Sequence, residues 1–196
     1  MPCIHRISLS LPALILLALL SSPLSSARSR HADREWRVYG GDPGSTRYSP
    51  LDQIDRSNVH RLKLAWVFHT GDRQDNPPST IECNPIVVDG ALYLTSPALK
   101  VFALNAATGA KRWQFDPGPN GQRASRGVAY WESGSDRRIL FTAASYLYAL
   151  AAGTGQPIRS FGDNGRVDMH RGLDRDVSGL GIDVTTPGVV YNNLII

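Results

Sequence analysis

Three polar side chains stand just before runs of residues with a β-strand pattern, and their types suit ligand binding. Glu82 precedes the run that starts at Pro85, Arg126 opens the run Arg126–Trp131, and Thr185 precedes Pro187. A guanidinium group is a planar fork that binds two oxygens of an anion at once and stabilises negative charge. Arg126 could therefore bind an anionic group.

Each of these residues also has a purely structural interpretation. Glu82 could be a solvated loop residue, Arg126 one of many surface arginines, and Thr185 a strand cap. Thr186 is an alternative to Thr185 at a register one residue later. Gly127 either allows a close backbone approach beside Arg126 or is simply a turn glycine.

Residues that often bind metals are not clustered in the sequence. His60, His69 and His170 are far apart, without a His-x-Glu or His-x₃-His spacing, which predicts surface or loop histidines. The cysteines are Cys3 and Cys83. If processing removes Cys3, neither an intrachain disulfide nor a cysteine zinc site is expected.

Length and charge restrict the class of protein. A chain of 196 residues is one compact domain or a piece of a larger one, and 42% hydrophobic residues suffice for a packed core. The formal charge of +4 nearly disappears if an N-terminal segment carrying Arg6, Arg28 and Arg30 is removed. A nucleic-acid partner is not expected, because it would require a clustered basic surface.

The N-terminus has the pattern of a targeting segment. The apolar run 9–20 follows Arg6 and is too short for a membrane-spanning helix, which needs about 20 residues. It matches the apolar region of a signal peptide. We therefore predict a signal peptide at 1–27, with cleavage after Ala27 or, less favourably, after Ala32. An uncleaved membrane anchor is the alternative.

Beyond residue 33 the pattern is one of short strands and turns. Asp89-Gly90 marks a hairpin turn, because both central positions of such a turn require positive φ. One short helical turn is compatible with Leu51–Val59. The predicted strands are Leu64–His69, Pro85–Val88, Ala91–Thr95, Val101–Leu104 and Arg112–Phe115.

The strand pattern repeats along the chain. Residues 101–109 match residues 147–155 at an offset of 46, and Pro85–Leu94 returns as Pro187–Ile196. A period of about 40–50 residues with four short strands is typical of a β-propeller blade. The prediction is an all-β protein whose residues 33–196 form the first two to three blades of a β-propeller and stop within a blade. Complete blades are expected at 85–115 and 127–161, and residues 33–68 would form the end of another blade. In the second complete blade, Arg159 stands near the position that corresponds to Trp113 in the first.

Several phrases of the sequence resemble the pyrroloquinoline-quinone (PQQ) dependent dehydrogenases. The resemblance runs from about residue 35 to the end. The phrases that carry it, in family order, are Trp36–Leu51, Ile54–Val59, Leu62–Trp66, Glu82–Gly90, Ala103–Trp113 and Arg126–Trp131.

The resemblance implies an eight-bladed propeller that binds PQQ and Ca²⁺ near its axis and oxidises a sugar, polyol or alcohol in the periplasm. Glu82, Arg126 and Thr185 would contact PQQ, whereas the calcium ligands and the catalytic aspartate would lie beyond Ile196. Electrons would pass to cytochrome c or ubiquinone. The stretch Gly121–Ser125 lacks the adjacent cysteines of several alcohol-oxidising members, which favours the glucose, quinate or polyol branch.

Two functions remain open from the sequence. The first is a PQQ-dependent dehydrogenase of which this chain alone would be inactive. The second is a non-catalytic propeller scaffold of the cell envelope. Glu82 and Arg126 favour the enzyme, because a scaffold has no reason to place both residues before blade strands.

The apolar run leads to a prediction about processing. We expect the mature N-terminus to lie near Arg28 or Asp33, because export removes the segment before the first predicted strand. Mass spectrometry of a periplasmic extract measures this end directly. An intact Met1 on cytoplasmic protein would contradict the prediction.

Overall fold

The computed structural model describes residues 35–118, 124–177 and 179–196. Within these ranges the regular structure is antiparallel β-sheet, and the helical structure consists of a single 3₁₀ turn, Val59–Arg61. The predicted signal peptide, residues 1–27, and the alternative cleavage site at Ala32 lie outside the described residues. None of the described residues belongs to a helix long and apolar enough to cross a membrane.

Among the described residues, ten strands form two four-stranded sheets and one hairpin, and in each the strand order follows the chain. This arrangement confirms the predicted all-β repeat. The first sheet contains β1 (Ile86–Val88), β2 (Ala91–Thr95), β3 (Val101–Asn105) and β4 (Lys111–Phe115). The second contains β5 (Ala129–Ser133), β6 (Asp136–Ala143), β7 (Tyr146–Ala151) and β8 (Arg166–Asp168), and the hairpin contains β9 (Val190–Tyr191) and β10 (Leu194–Ile195).

The turn between β1 and β2 has the predicted geometry. Asp89 and Gly90 have φ values of 48° and 68°. Positive φ at both central residues gives the turn a twist that matches the two strands it joins. Val88 and Ala91 are consequently paired directly across the turn.

Side chains of the second sheet are buried on both faces. Along β6, Ile139 and Phe141 lie in the main core with residues of the first sheet, whereas Leu140 lies in a second cluster on the opposite face. Val190 and Ile195 of the hairpin pack against that second cluster. Because successive residues of a strand point to opposite faces, this burial explains why β7 carries only apolar and aromatic side chains.

A tryptophan stacked against a glycine joins successive repeats. A Cβ on Gly155 would lie 2.5 Å from the ring of Trp113, and a Cβ on Gly109 would lie 2.6 Å from the ring of Trp66. The indole N–H of Trp113 donates to the carbonyl of Ala152 at 2.9 Å, and that of Trp66 donates to Ala106 at 3.3 Å. Glycine is required at both positions because the indole occupies the space of a side chain.

The segment Leu64–His69, predicted as a strand, forms no β-ladder with the residues that the structure describes. Its side chains alternate nevertheless: Phe68 meets Phe102 edge-on at 5.2 Å between ring centroids, whereas Val67 is 60% exposed. The strand assignment was wrong because a ladder also needs a partner strand. The helical turn expected within Leu51–Val59 is displaced: the 3₁₀ turn Val59–Arg61 starts at the last residue of that range.

The second sheet ends later than the repeat predicts. A blade was expected at 127–161, but the fourth strand, β8, is Arg166–Asp168. Phe161 instead packs into the second cluster, and Arg159 is exposed. A charged side chain cannot replace the buried indole of Trp113 without a large desolvation cost. The chain therefore makes further turns before it pairs with β7.

The indole–glycine contact leads to a stability prediction. In the full-length protein, Gly155→Ala should lower the free energy of unfolding by about 2–4 kcal/mol, because it combines positive φ with overlap against Trp113. Urea denaturation followed by tryptophan fluorescence measures the change. Gly153→Ala is the matched control, because a Cβ there meets open space. Equal denaturation midpoints for the two variants would disprove this role of Gly155.

Candidate cofactor-binding site

The three predicted site residues lie on short stretches that precede the first strands of three successive repeats. We call residues 82–84, 125–127 and 184–185 the pre-strand segments. Backbone hydrogen bonds join them side by side: Asn84 N donates to Arg126 O at 2.9 Å, and Arg126 N donates to Thr185 O at 2.8 Å. Residues separated by about a hundred positions thus form one continuous surface.

Arg126 lies between the other two predicted residues. Its Nη1 donates to the Thr185 hydroxyl at 2.9 Å, and its Nη2 lies 3.7 Å from a carboxylate oxygen of Glu82. The structure therefore brings Glu82, Arg126 and Thr185 together. Thr186, the alternative at the next register, is exposed beside them, and the hydroxyl that contacts Arg126 is that of Thr185.

This ion pair is too exposed to contribute much to folding. The side chains of Arg126 and Glu82 are each 44% exposed, and 3.7 Å exceeds hydrogen-bonding distance. Exposed pairs of this kind contribute about 0–1 kcal/mol. A guanidinium carries five N–H donors, so Arg126 can also bind an additional acceptor at the surface. The arrangement suits an anionic ligand that bonds to Arg126 and Thr185 together.

Gly127 allows the close approach of two pre-strand segments. Its φ is 137°, and a Cβ there would lie only 2.8 Å from the carbonyl oxygen of Asn84. Any side chain would push the segments apart and break the Asn84–Arg126 hydrogen bond. The interpretation of Gly127 as a residue that permits close backbone approach is the one the geometry supports.

Two threonines attach the pre-strand segments to the sheets. Thr95, at the end of β2, donates its hydroxyl to Ser125 O at 3.4 Å, and Thr142 of β6 donates to Val184 O at 2.6 Å. Sequence reasoning did not single out either residue. Their separation of 47 residues is close to the repeat period, and this spacing is the signal that could have identified them.

Cys83 supports the same region from the interior. Thr95 N donates to the sulfur of Cys83 at 3.2 Å. Burial raises the pKa of this thiol, so it remains protonated at neutral pH. The residue acts as a packed neighbour of Gly127 rather than as an ionised ligand.

No three histidine, cysteine or carboxylate side chains converge as a metal site within the described parts of the chain. The site in this chain is therefore a set of hydrogen-bond donors and one carboxylate around Arg126. That inventory can bind and orient a ligand, but it contains no arrangement of a nucleophile with a base.

Comparison with known proteins places this geometry in context. Residues 36–196 match the family described as PQQ: glucose/ethanol/alcohol dehydrogenase, beta-propeller domain. The quinoprotein glucose dehydrogenase of Escherichia coli is 33% identical over 192 residues, covering 88% of this chain and 24% of that protein. The glycerol dehydrogenase large subunit of Gluconobacter oxydans is 31% identical over 182 residues, covering 84% and 24%.

The fold agrees with a solved structure of the same type. The quinohemoprotein alcohol dehydrogenase from Comamonas testosteroni superposes with a TM-score of 0.59 at 27% identity, over 75% of this chain and 23% of that one. This chain thus spans about a quarter of the length of the relatives it matches. Family match, repeat and sheet order together show that the chain belongs to the β-propeller family of PQQ-dependent quinoprotein dehydrogenases.

Proposed function

We propose that the full-length protein is a PQQ-dependent dehydrogenase that oxidises a sugar, polyol or alcohol in the periplasm and passes electrons to cytochrome c or ubiquinone. The observation that carries this proposal is the position of Arg126, an exposed guanidinium held between Thr185 and Glu82 where three repeats meet. The apolar run at 9–20, which has the length of a signal-peptide apolar region, supports export. This chain alone is inactive in the proposal.

The donor set fits PQQ, which carries three carboxylates and two adjacent quinone oxygens. Arg126 offers a charged fork and Thr185 a hydroxyl, and both groups prefer anionic oxygens. The loose contact between Arg126 and Glu82 leaves Nη2 able to turn toward a ligand. When bound, PQQ supplies the redox chemistry by accepting two electrons from the substrate.

Each residue then has a separate role. Arg126 would hold oxygens of the cofactor and would supply positive charge that stabilises negative charge on them. Thr185 fixes one guanidinium nitrogen and so limits rotation of the fork. The carboxylate of Glu82 would orient Arg126 and would accept a hydrogen bond from a donor group of the cofactor. In this proposal, the catalytic base and the Ca²⁺ ligands are supplied by parts of the protein beyond this chain.

The relatives suggest which substrates to test first. They are named as dehydrogenases of glucose, glycerol, quinate or shikimate, and alcohol. The absence of cysteine from Gly121–Ser125 favours aldoses, polyols and quinate over simple alcohols. An assay panel should therefore contain all four classes.

Arg126 provides the sharpest test of the proposal. In the full-length enzyme with PQQ and Ca²⁺, Arg126→Ala should bind PQQ more weakly and lower kcat by about 10²–10³, because a preorganised charge is lost. Arg126→Lys should still bind PQQ but oxidise substrate slowly, because the ammonium group lacks the planar fork. Dye-linked oxidation and PQQ titration measure the two effects.

Arg137→Ala is the matched control. Arg137 also forms an exposed ion pair, with Asp89 at 2.8 Å, but it lies at the hairpin turns rather than on the pre-strand segments. Its removal should leave kcat and PQQ affinity unchanged. Wild-type turnover and PQQ affinity in Arg126→Ala would show that Arg126 is a surface arginine with no role in cofactor binding, and the proposal would lose its main support.

Glu82→Gln tests the carboxylate separately. The amide keeps the shape and removes the charge, so PQQ should dissociate faster while kcat of the loaded enzyme changes by less than about tenfold. The measurement is retention of PQQ after gel filtration, with activity assayed before and after addition of fresh PQQ. Unchanged retention would show that Glu82 makes no contact with the cofactor.

A further inference from the structure

The imidazole of His170 bridges Asp168 and Leu180, which are twelve residues apart in the sequence. Its Nδ1 lies 2.8 Å from Asp168 Oδ1, and its Nε2 lies 3.0 Å from the carbonyl oxygen of Leu180. Asp168 ends β8 and pairs with Tyr146 of β7. The ring therefore fastens the far end of a loop to the edge of the second sheet.

Both partners of the ring are acceptors. An ionised carboxylate and a backbone carbonyl have no proton to donate, and a neutral imidazole has only one N–H. The two bonds can coexist only when both ring nitrogens are protonated. The observed geometry is thus that of the imidazolium form.

The electrostatic surroundings favour this form. The hydrogen bond to Asp168, and then that to Leu180, raise the pKa of His170. The backbone and side chain of His170 lower the pKa of Asp168, and the charge of Arg171 lowers it further. The ring and the carboxylate are each more than a quarter exposed, so solvent screening moderates the attraction.

The loop closed by this contact leads directly to the candidate site. The described residues 171–177 follow His170, and from Leu180 the chain continues to Val184 and Thr185. Val184 is held by the Thr142 hydroxyl, and Thr185 contacts Arg126. The state of His170 thus decides whether the chain entering the last pre-strand segment is attached at one point or at two.

We propose that His170 is a pH-dependent clasp that, when protonated, holds Leu180 to the end of β8, and that on deprotonation keeps the stronger bond to the Asp168 carboxylate and releases the Leu180 carbonyl. Because the pKa of His170 is raised in the folded state, the stabilisation is complete below the pKa of an unfolded histidine. It is lost as the pH rises through the higher, folded value. This device does not depend on the bound cofactor.

Trypsin provides a direct test, because Arg171 and Arg175 are both exposed within the loop. In the full-length protein, cleavage at these sites, normalised to a reference peptide, should be about two- to fivefold faster at about pH 9 than at about pH 6. His170→Ala should be cleaved rapidly at both pH values. His69→Ala, which changes another exposed histidine, should show the same pH dependence of cleavage as the wild-type protein.

Nuclear magnetic resonance gives a second measurement that does not require a folded His170 variant. A ¹H–¹³C titration of the wild-type protein should show His170 deprotonating above the pKa of an unfolded histidine, and Asp168→Asn should lower that pKa. A His170 that deprotonates at or below the unfolded value overturns the proposal. Cleavage of His170→Ala with the wild-type pH dependence also overturns it.

Discussion

The contact of an indole with a glycine fixes the distance between successive repeats, and the remaining architecture depends on that distance. Trp113 covers Gly155 and donates its N–H to Ala152, so the contact has both a packing and a directional component. Trp66 and Gly109 repeat the arrangement one unit earlier. Burial of a large aromatic surface supplies stability, while the hydrogen bond sets the orientation. Without this spacing, the backbone bonds between pre-strand segments would not form.

The candidate site depends on this spacing of the repeats, although the indole–glycine contacts are not part of the site. Each of three repeats contributes one short stretch, and no single repeat holds two of the residues Glu82, Arg126 and Thr185. The hydrogen bond from Arg126 N to Thr185 O aligns these two segments of the backbone, so that the side chains of Arg126 and Thr185 also meet. At Gly127 the two pre-strand segments are in direct backbone contact, because a Cβ there would lie too close to the carbonyl oxygen of Asn84. A site built this way is rigid without being buried.

Much of this could be predicted from the sequence, because the repeat and the turn residues are local signals. The hairpin at Asp89-Gly90 and the return of residues 101–109 gave the sheets and their order. Prediction failed where the outcome depends on a distant partner. Leu64–His69 has a strand pattern but no ladder with the part of the chain that the structure describes, and β8 is displaced because Arg159 stands where an indole would be. Thr95 and Thr142 were not predicted because threonine occurs in many structural roles. Only their separation of 47 residues, close to the repeat period, distinguishes them.

The exposed Arg159 has a consequence for how the repeats find one another. The first sheet contacts the second through Trp113. The second sheet contacts the hairpin through Phe161 and Trp131, and the indole N–H of Trp131 donates to Asn192 O at 2.9 Å. Identical interfaces would allow neighbouring repeats to exchange places during folding. Two chemically different interfaces reduce that ambiguity, because each surface favours its own partner. The departure from an exact repeat thus favours one order of assembly over others.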